Sequence, residues 1–345
     1  MIKNKIKFSV LGIDHDHIFH MIRGLQNEGC IFNSWWTKGN PTTLKKFLKT
    51  FPKIKRVKDK KIILEDKSVN IILISSIPKD RAHLSISAME FGKNVMVDKP
   101  GCISIKELSN IKACVKKTKK IWAINFSERF EFSAVQKAEE LVSKGLIGNV
   151  IQTIGLGPHK IGNLTRPSWF YDPKYYGGII TDIASHQIHQ FLVFTKSTNV
   201  KIINASIISK KISQNNNFQK FGEINLLGNR GVGYIRVDWM TPKGLNSWGD
   251  TRLFIQGEKG FIELRKNIDL AKSKKGNHLF YANNKTEKYI DCSNIKLIFY
   301  KNFLKDCKFQ NYKSNMQKIF FITMEVAILS QIYAEKNKSQ KFKIL

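Results

Sequence analysis

Long apolar runs are missing from the 345 residues: no stretch of about 18 apolar residues occurs, so hydropathy offers no membrane-spanning helix. The residues Met1-Ile-Lys-Asn-Lys lead into a short strand pattern and not into a signal-type apolar core, and the chain reads as cytoplasmic with no membrane partner. Cysteine is sparse as well. Cys30, Cys102, Cys114, Cys292 and Cys307 are odd in number, widely spaced and free of any C-x-x-C pair, as expected for reduced thiols. Acidic residues are few, 27 against 58 basic ones, leaving a formal charge of +31. Such an excess invites a nucleic-acid reading. Only nine of the basic residues are arginine, however, and the lysines are spread along the whole chain beside abundant isoleucine and asparagine. Arginine clusters interleaved with aromatics, which phosphate forks and base stacking favour, are lacking. The expectation is a solvated basic surface with weak attraction for anions and no specific nucleic-acid partner.

At 42% hydrophobic residues the chain can bury a core in each of two domains. Its first third alternates strand-like and helix-like segments. Strands are expected at Lys7 to Leu11, Ile31 to Trp36, Asn70 to Ser75, Asn94 to Val97 and Ile121 to Asn125, with helices between them. The run NIILIS is that of a strand buried on both faces. This alternation implies a parallel, doubly wound sheet whose ligands sit at the carboxyl ends of its strands. After about residue 125 the pattern changes: helices at Phe132 to Lys144 and Thr181 to Phe194, five successive strand candidates between Lys201 and Arg265, and a last amphipathic helix over about Lys313 to Ala334. The predicted fold class is α/β, with a Rossmann-like domain at residues 1–124 and an α+β domain with a largely antiparallel sheet at 125–345, packed across a cleft.

Three segments carry chemistry. VLGIDHDHIF follows the first strand, where G-x-G-x-x-G would put glycines at 12, 14 and 17, and only Gly12 is present. Asp14 would set a carboxylate beside a pyrophosphate unless it turned away to cap the helix, leaving the helix amides for phosphate. His15 and His17 could instead be metal ligands, but an H-x-H pair at a helix start is expected to point its rings apart. VMVDKPG places Lys99 directly after a buried strand, where it can donate to a substrate oxygen or is simply an exposed turn lysine. GGIITDIASHQIH sets Asp182, His186 and His189 near one helical face, where a carboxylate could orient an imidazole base or the histidines could be packing residues. The paired glycines imply close approach to a ligand or a neighbour, or a plain turn.

In this order the segments resemble the Gfo/Idh/MocA family of NAD(P)-dependent oxidoreductases. The family pattern of a Rossmann strand-turn-helix, G-K-x-V-x-x-E-K-P and G-G-x-x-x-D-x-x-x-H is matched by FSVLGIDHDH, by GKNVMVDKPG with Asp98 in the glutamate position, and by GGIITDIASHQIH. Resemblance continues through GLIGNV and RLFIQGEKGFIELRK, so it spans nearly the whole chain. It implies a dehydrogenase or reductase acting on CH–OH groups of a sugar, sugar acid or cyclitol, forming a homodimer or homotetramer. It assigns catalysis to Lys99, Asp182 and His186, with His186 the base oriented by Asp182 and Lys99 polarising the oxygen.

Cofactor contacts are expected from Gly12, Ile13, Asp14, His15, His17, Thr37, Lys38, Ser75, Ser76, Arg81 and Lys99. Thr37 and Lys38 stand where an acidic residue would bind a ribose diol, so NADP is favoured over NAD. Arg81 is a phosphate contact or a helix-start charge. Substrate contacts are expected from Arg129, His159, Arg166, Trp169 and His189, the first near the cleft and the next three in the aromatic loop of residues 157–178. Two rival readings are a non-catalytic NAD(P)-binding sensor or accessory protein of the same fold, and a metal-dependent hydrolase or isomerase using His15, His17, His186 and His189. The expected metal content is none.

Overall fold

The computed structural model describes residues 5–161, 166–213, 216–273 and 275–337. Six strands form the first sheet: β1 (Lys7–Ile13), β2 (Ile31–Trp36), β3 (Lys55–Arg56), β4 (Val69–Ser75), β5 (Asn94–Asp98) and β6 (Trp122–Asn125). Their order is β3-β2-β1-β4-β5-β6 and every pairing is parallel. Helices cover both faces, which is why Ile71 to Ile74 and Val95 to Val97 are wholly buried and why these strands read as unbroken apolar runs. The order reverses between β1 and β4, and the carboxyl ends of these two strands flank a crevice.

The second sheet has eight strands in the order β14-β13-β12-β11-β7-β10-β9-β8. They are β7 (Val150–Pro158), β8 (Val200–Ser213), β9 (Asn216–Gly228), β10 (Gly231–Asp238), β11 (Arg252–Gly257), β12 (Gly260–Arg265), β13 (His278–Asn283) and β14 (Thr286–Asp291). Pairing is antiparallel except between β7 and β10. A π-helical turn, Ile180–Ala184, and the α-helix Ser185–Thr195 bury the middle of the sheet, and the helix Ser133–Ser143 packs towards β12 and β13.

The β13/β14 hairpin and the helix Phe299–Phe309 have no counterpart in the sequence reading. Lysine and asparagine are dense there and dilute both the period of 2 and the period of 3.6. The last helix, Asn315–Lys336, matches its expected span closely. Phe299, Tyr300, Phe303, Phe320, Met324 and Ile328 enter the hydrophobic core of the parallel-sheet domain, so a cut at residue 124 separates that domain from part of its own core. No helix among the described residues is long and apolar enough to cross a membrane.

Candidate active site

Gly12 ends the first strand with φ near +80°, a conformation that favours glycine, and a Cβ there would lie 2.5 Å from the Ser76 Cβ. The close approach of β1 to β4 therefore explains the one glycine that the turn retains. Asp14 does not cap the following helix as expected: that helix begins at His17 behind Asp16, and Asp14 lies beside Ile77, Asp80 and Arg81. Burial pushes its carboxyl up to about 6, with Asp80 adding and Arg81 opposing.

His15 and His17 do not point apart. Their rings meet edge-on at 4.3 Å, and both Nδ1 atoms face Asp98, at 3.1 and 2.8 Å. The same carboxylate accepts from the Arg81 guanidinium at 2.9 Å and from the Ser75 hydroxyl at 3.2 Å. Arg81, His17 and His15 outweigh its burial and hold Asp98 well below the usual carboxylate range, so it acts as an acceptor towards these groups. Burial and the neighbouring His17 draw His15 down to about 4. Ligand-type atoms of His15, His17 and Asp98 lie within 4.8 Å of one another, but four donors, one of them a guanidinium, already occupy the carboxylate.

Arg81 is thus an internal brace and not a phosphate contact. It is 1% exposed and also donates to the carbonyls of Ser76, Asp98, Lys99 and Pro100. Ser75 is likewise turned inward, and Ser76 packs against Gly12.

Beyond β5, the Lys99 Nζ donates to the Asp182 carboxylate at 2.9 Å and to its carbonyl at 3.3 Å. Asp182 therefore pairs with Lys99, and no bond to His186 is formed. Asp182 stands in the π turn, where the additional residue per turn shifts the phase on which the expected common helical face rested. Gly178, just before that turn, has φ near +86°, and a Cβ on it would strike the Gln331 side chain, so the close approach is to a neighbouring helix.

A cleft of about 220 Å³ opens here, lined by His15, His17, Lys99, Glu128, His159, Arg166, Trp169, Asp182, His186, Trp239 and Trp248 among others. His186 is 2% exposed and its Nδ1 has no partner. Burial, reinforced by the Lys99 ammonium, places its pKa well below the ordinary imidazole value, so the ring is neutral at pH 7 and can accept a proton. His159 donates from Nδ1 to the Gly157 carbonyl at 3.0 Å, which leaves Nε2 as an acceptor, and burial lowers its pKa too. The Arg166 guanidinium lies over the rings of Phe170, Trp239 and Trp248 at 4.9 to 5.9 Å.

His189 and Arg129 lie elsewhere. His189 is fully buried, stacked on Phe126 and Phe320 and bonded to Thr323 and Arg129, while Arg129 pairs with Glu139. Both were expected to touch substrate, and the packing of the last helix against that face turns them inward. The four histidines considered for a metal accordingly do not converge. The sequence reading missed Glu128, Trp239 and Trp248, which stand in segments without a local motif, and Lys266 behind Glu128 at 2.9 Å. Of the loop at residues 157–178, residues 162–165 lie outside the described residues.

Comparison with known proteins fits this arrangement. Residues 38–126 match the oxidoreductase-family model with an NAD-binding Rossmann fold, and residues 135–263 match the GFO/IDH/MocA C-terminal domain. The first match begins after the Gly12 turn. A presumed oxidoreductase of Erwinia carotovora atroseptica superposes with a TM-score of 0.90 at 35% identity, over 96% of this chain and 99% of that one. Levoglucosan dehydrogenase, in complex with NADH and levoglucosan, shares the fold at a TM-score of 0.74 and 14% identity, over 96% of each chain. The scyllo-inositol 2-dehydrogenase (NAD(+)) of Bacillus subtilis is 29% identical over 40% of this chain and 39% of its own length. The chain's matches span between 37% and 50% of the length of the curated relatives. With both halves matched and a near full-length relative above 30% identity, the chain belongs to the Gfo/Idh/MocA family of NAD-binding oxidoreductases.

Proposed function

We propose that the protein transfers a hydride between a nicotinamide dinucleotide and a hydroxyl or ketone carbon of a sugar, sugar acid or cyclitol. The observation that carries this reading is the neutral, unpartnered His186 imidazole in one cleft with the Lys99–Asp182 pair, at the carboxyl edge of the parallel sheet. The residues fit a dinucleotide: Gly12 cradles the turn at the strand-order reversal, and the buried Thr37 Oγ1 has no partner at the end of β2, where an adenosine ribose falls in such sheets. Exposed Lys38 beside it suits a 2′-phosphate and favours NADP over NAD. Bound nicotinamide supplies the hydride chemistry. Lys99 donates a hydrogen bond to the reacting oxygen, and His186 takes the hydroxyl proton on oxidation and returns it on reduction. Asp182 anchors the ammonium. Arg166 and the indoles of Trp169, Trp239 and Trp248 give the substrate a cationic and aromatic wall.

The outer face of the second sheet supports self-association as a dimer or tetramer. Tyr234, Ile154 and Phe254 lie in register across β10, β7 and β11 and are each part-exposed. The decisive measurement is a fluorescence titration with NADPH and NADH. Micromolar binding is expected, with Lys38→Ala weakening NADPH about 5- to 30-fold and NADH hardly at all. Absence of binding by either nucleotide below millimolar concentration defeats the proposal, whereas binding without turnover of any polyol leaves the sensor reading.

A further inference from the structure

At the base of the cleft a carboxylate is held by more structure than packing requires. Glu128 lies in the short helix Ser127–Phe130 and is 6% exposed. One oxygen, Oε2, accepts from the Lys266 ammonium at 2.9 Å and from the Gln187 amide at 2.7 Å. Lys266, directly after β12, is 1% exposed, and Gln187, on the helix Ser185–Thr195, is 2% exposed. Gln187 in turn fits over two positions of β7 that have no side chain: a Cβ on Gly155 would lie 2.8 Å from its Cγ, and one on Gly157 would lie 2.6 Å from its Nε2. Three remote elements and two glycines thus fix one carboxylate in a single orientation.

Its other oxygen, Oε1, is buried and has no partner. An ion left half-satisfied in a protein interior costs free energy unless a ligand completes it. The Gln187 Oε1, on the side chain bonded to Glu128, is also without a partner, so two acceptors stand together here, while the unpartnered donor of the cleft is the Arg166 Nε. Water or a polyhydroxyl compound supplies donors, and an anionic group does not.

We propose that Glu128 is a substrate-binding residue that accepts a hydrogen bond from a hydroxyl of a neutral polyol or sugar ring, with Lys266 and Gln187 as positioning residues. This rests on the proposed polyol oxidation and narrows its substrate: the ring portion over Glu128 carries a free hydroxyl and no carboxylate. A site built to pair a hydroxyl rejects the analogue that lacks it, because the buried acceptor is then stranded.

The test uses the full chain, with scyllo-inositol, levoglucosan and their monodeoxy analogues as probes and NADH fluorescence in parallel. Glu128→Gln should raise KM for the better polyol about 10- to 100-fold, the range for a hydrogen bond to a charged group, with kcat within about threefold and NADH affinity unchanged. Wild type should discriminate against one deoxy analogue by a similar factor. The double variant Glu128→Ala/Lys266→Met, which leaves no stranded ammonium, should lose that discrimination. Retention of the wild-type KM in Glu128→Gln, or equal handling of every deoxy analogue by wild type, overturns the role of Glu128 alone. If wild type oxidises and binds none of the polyols, the substrate reading falls with it, and binding of NADPH or NADH then tells whether the dinucleotide reading stands.

Discussion

Two buried carboxylates, one behind the cleft and one on its wall, are treated in opposite ways. Asp98, at the end of β5, gathers four donors, three on Oδ2 from His15, Ser75 and Arg81 and one on Oδ1 from His17, so neither oxygen lacks a partner. Glu128, across the cleft, has one oxygen bonded twice and the other not at all. The first is architecture: it rebuilds a turn that lacks two of its usual glycines. The second belongs to a surface whose polar atoms are completed only by something else. Saturation inside the protein separates residues that hold the site from residues that use it, although both are charged and buried.

The comparison can be broken most sharply on the unsaturated side. His186→Ala should lower kcat/KM for a polyol by about 10²- to 10⁴-fold with NADH binding intact, as expected for loss of a general base. Because the His186 pKa lies well below its ordinary value, the wild-type rate should stay flat as pH falls through 6.5, where an unperturbed histidine would protonate and stop accepting. A loss centred near 6.5 and removed by the variant would contradict the burial argument. On the saturated side, Arg81→Met strands the Asp98 carboxylate and should cost about 3–5 kcal/mol in chemical unfolding, with the loss in stability exceeding any direct effect on catalysis once the protein is folded. The smallest effect sharpens the boundary between the two regions. Asp14 is raised to about 6, so it is largely charged at pH 7.5 and largely protonated at pH 5.5. Protonation removes a negative charge near a bound pyrophosphate, and dinucleotide affinity should therefore rise about three- to tenfold over that fall in pH. Calorimetric titration of wild type and Asp14→Asn checks this, since the variant should bind with the weaker pH dependence.

Much of this was legible in the sequence where the code is local. NIILIS and NVMV announce buried parallel strands because both faces are covered, and Lys99, Asp182 and His186 come together because each follows a recognisable punctuation, a strand end or a Gly-Gly turn. What failed was long-range. Helical spacing places His189 near Asp182, but only the last helix decides that this face is interior, and only the π turn separates Asp182 from His186. Two departures from the family pattern, His17 where the turn usually has glycine and Asp98 where it has glutamate, look independent along the chain and turn out to be partners across 81 residues. Glu128 gives no local signal, for SERF reads as a surface helix and its ammonium is 138 residues away.

The shared core has a consequence in time. A ribosome that has delivered all six strands of the parallel sheet has yet to deliver Phe299, Phe303, Phe320 and Met324, which fill one side of that domain's interior. Until they emerge, the nascent first third keeps an open apolar flank for the time it takes to translate about half of the chain. Synthesis of this protein therefore leaves its parallel-sheet domain unfinished until the helix Asn315–Lys336 has emerged.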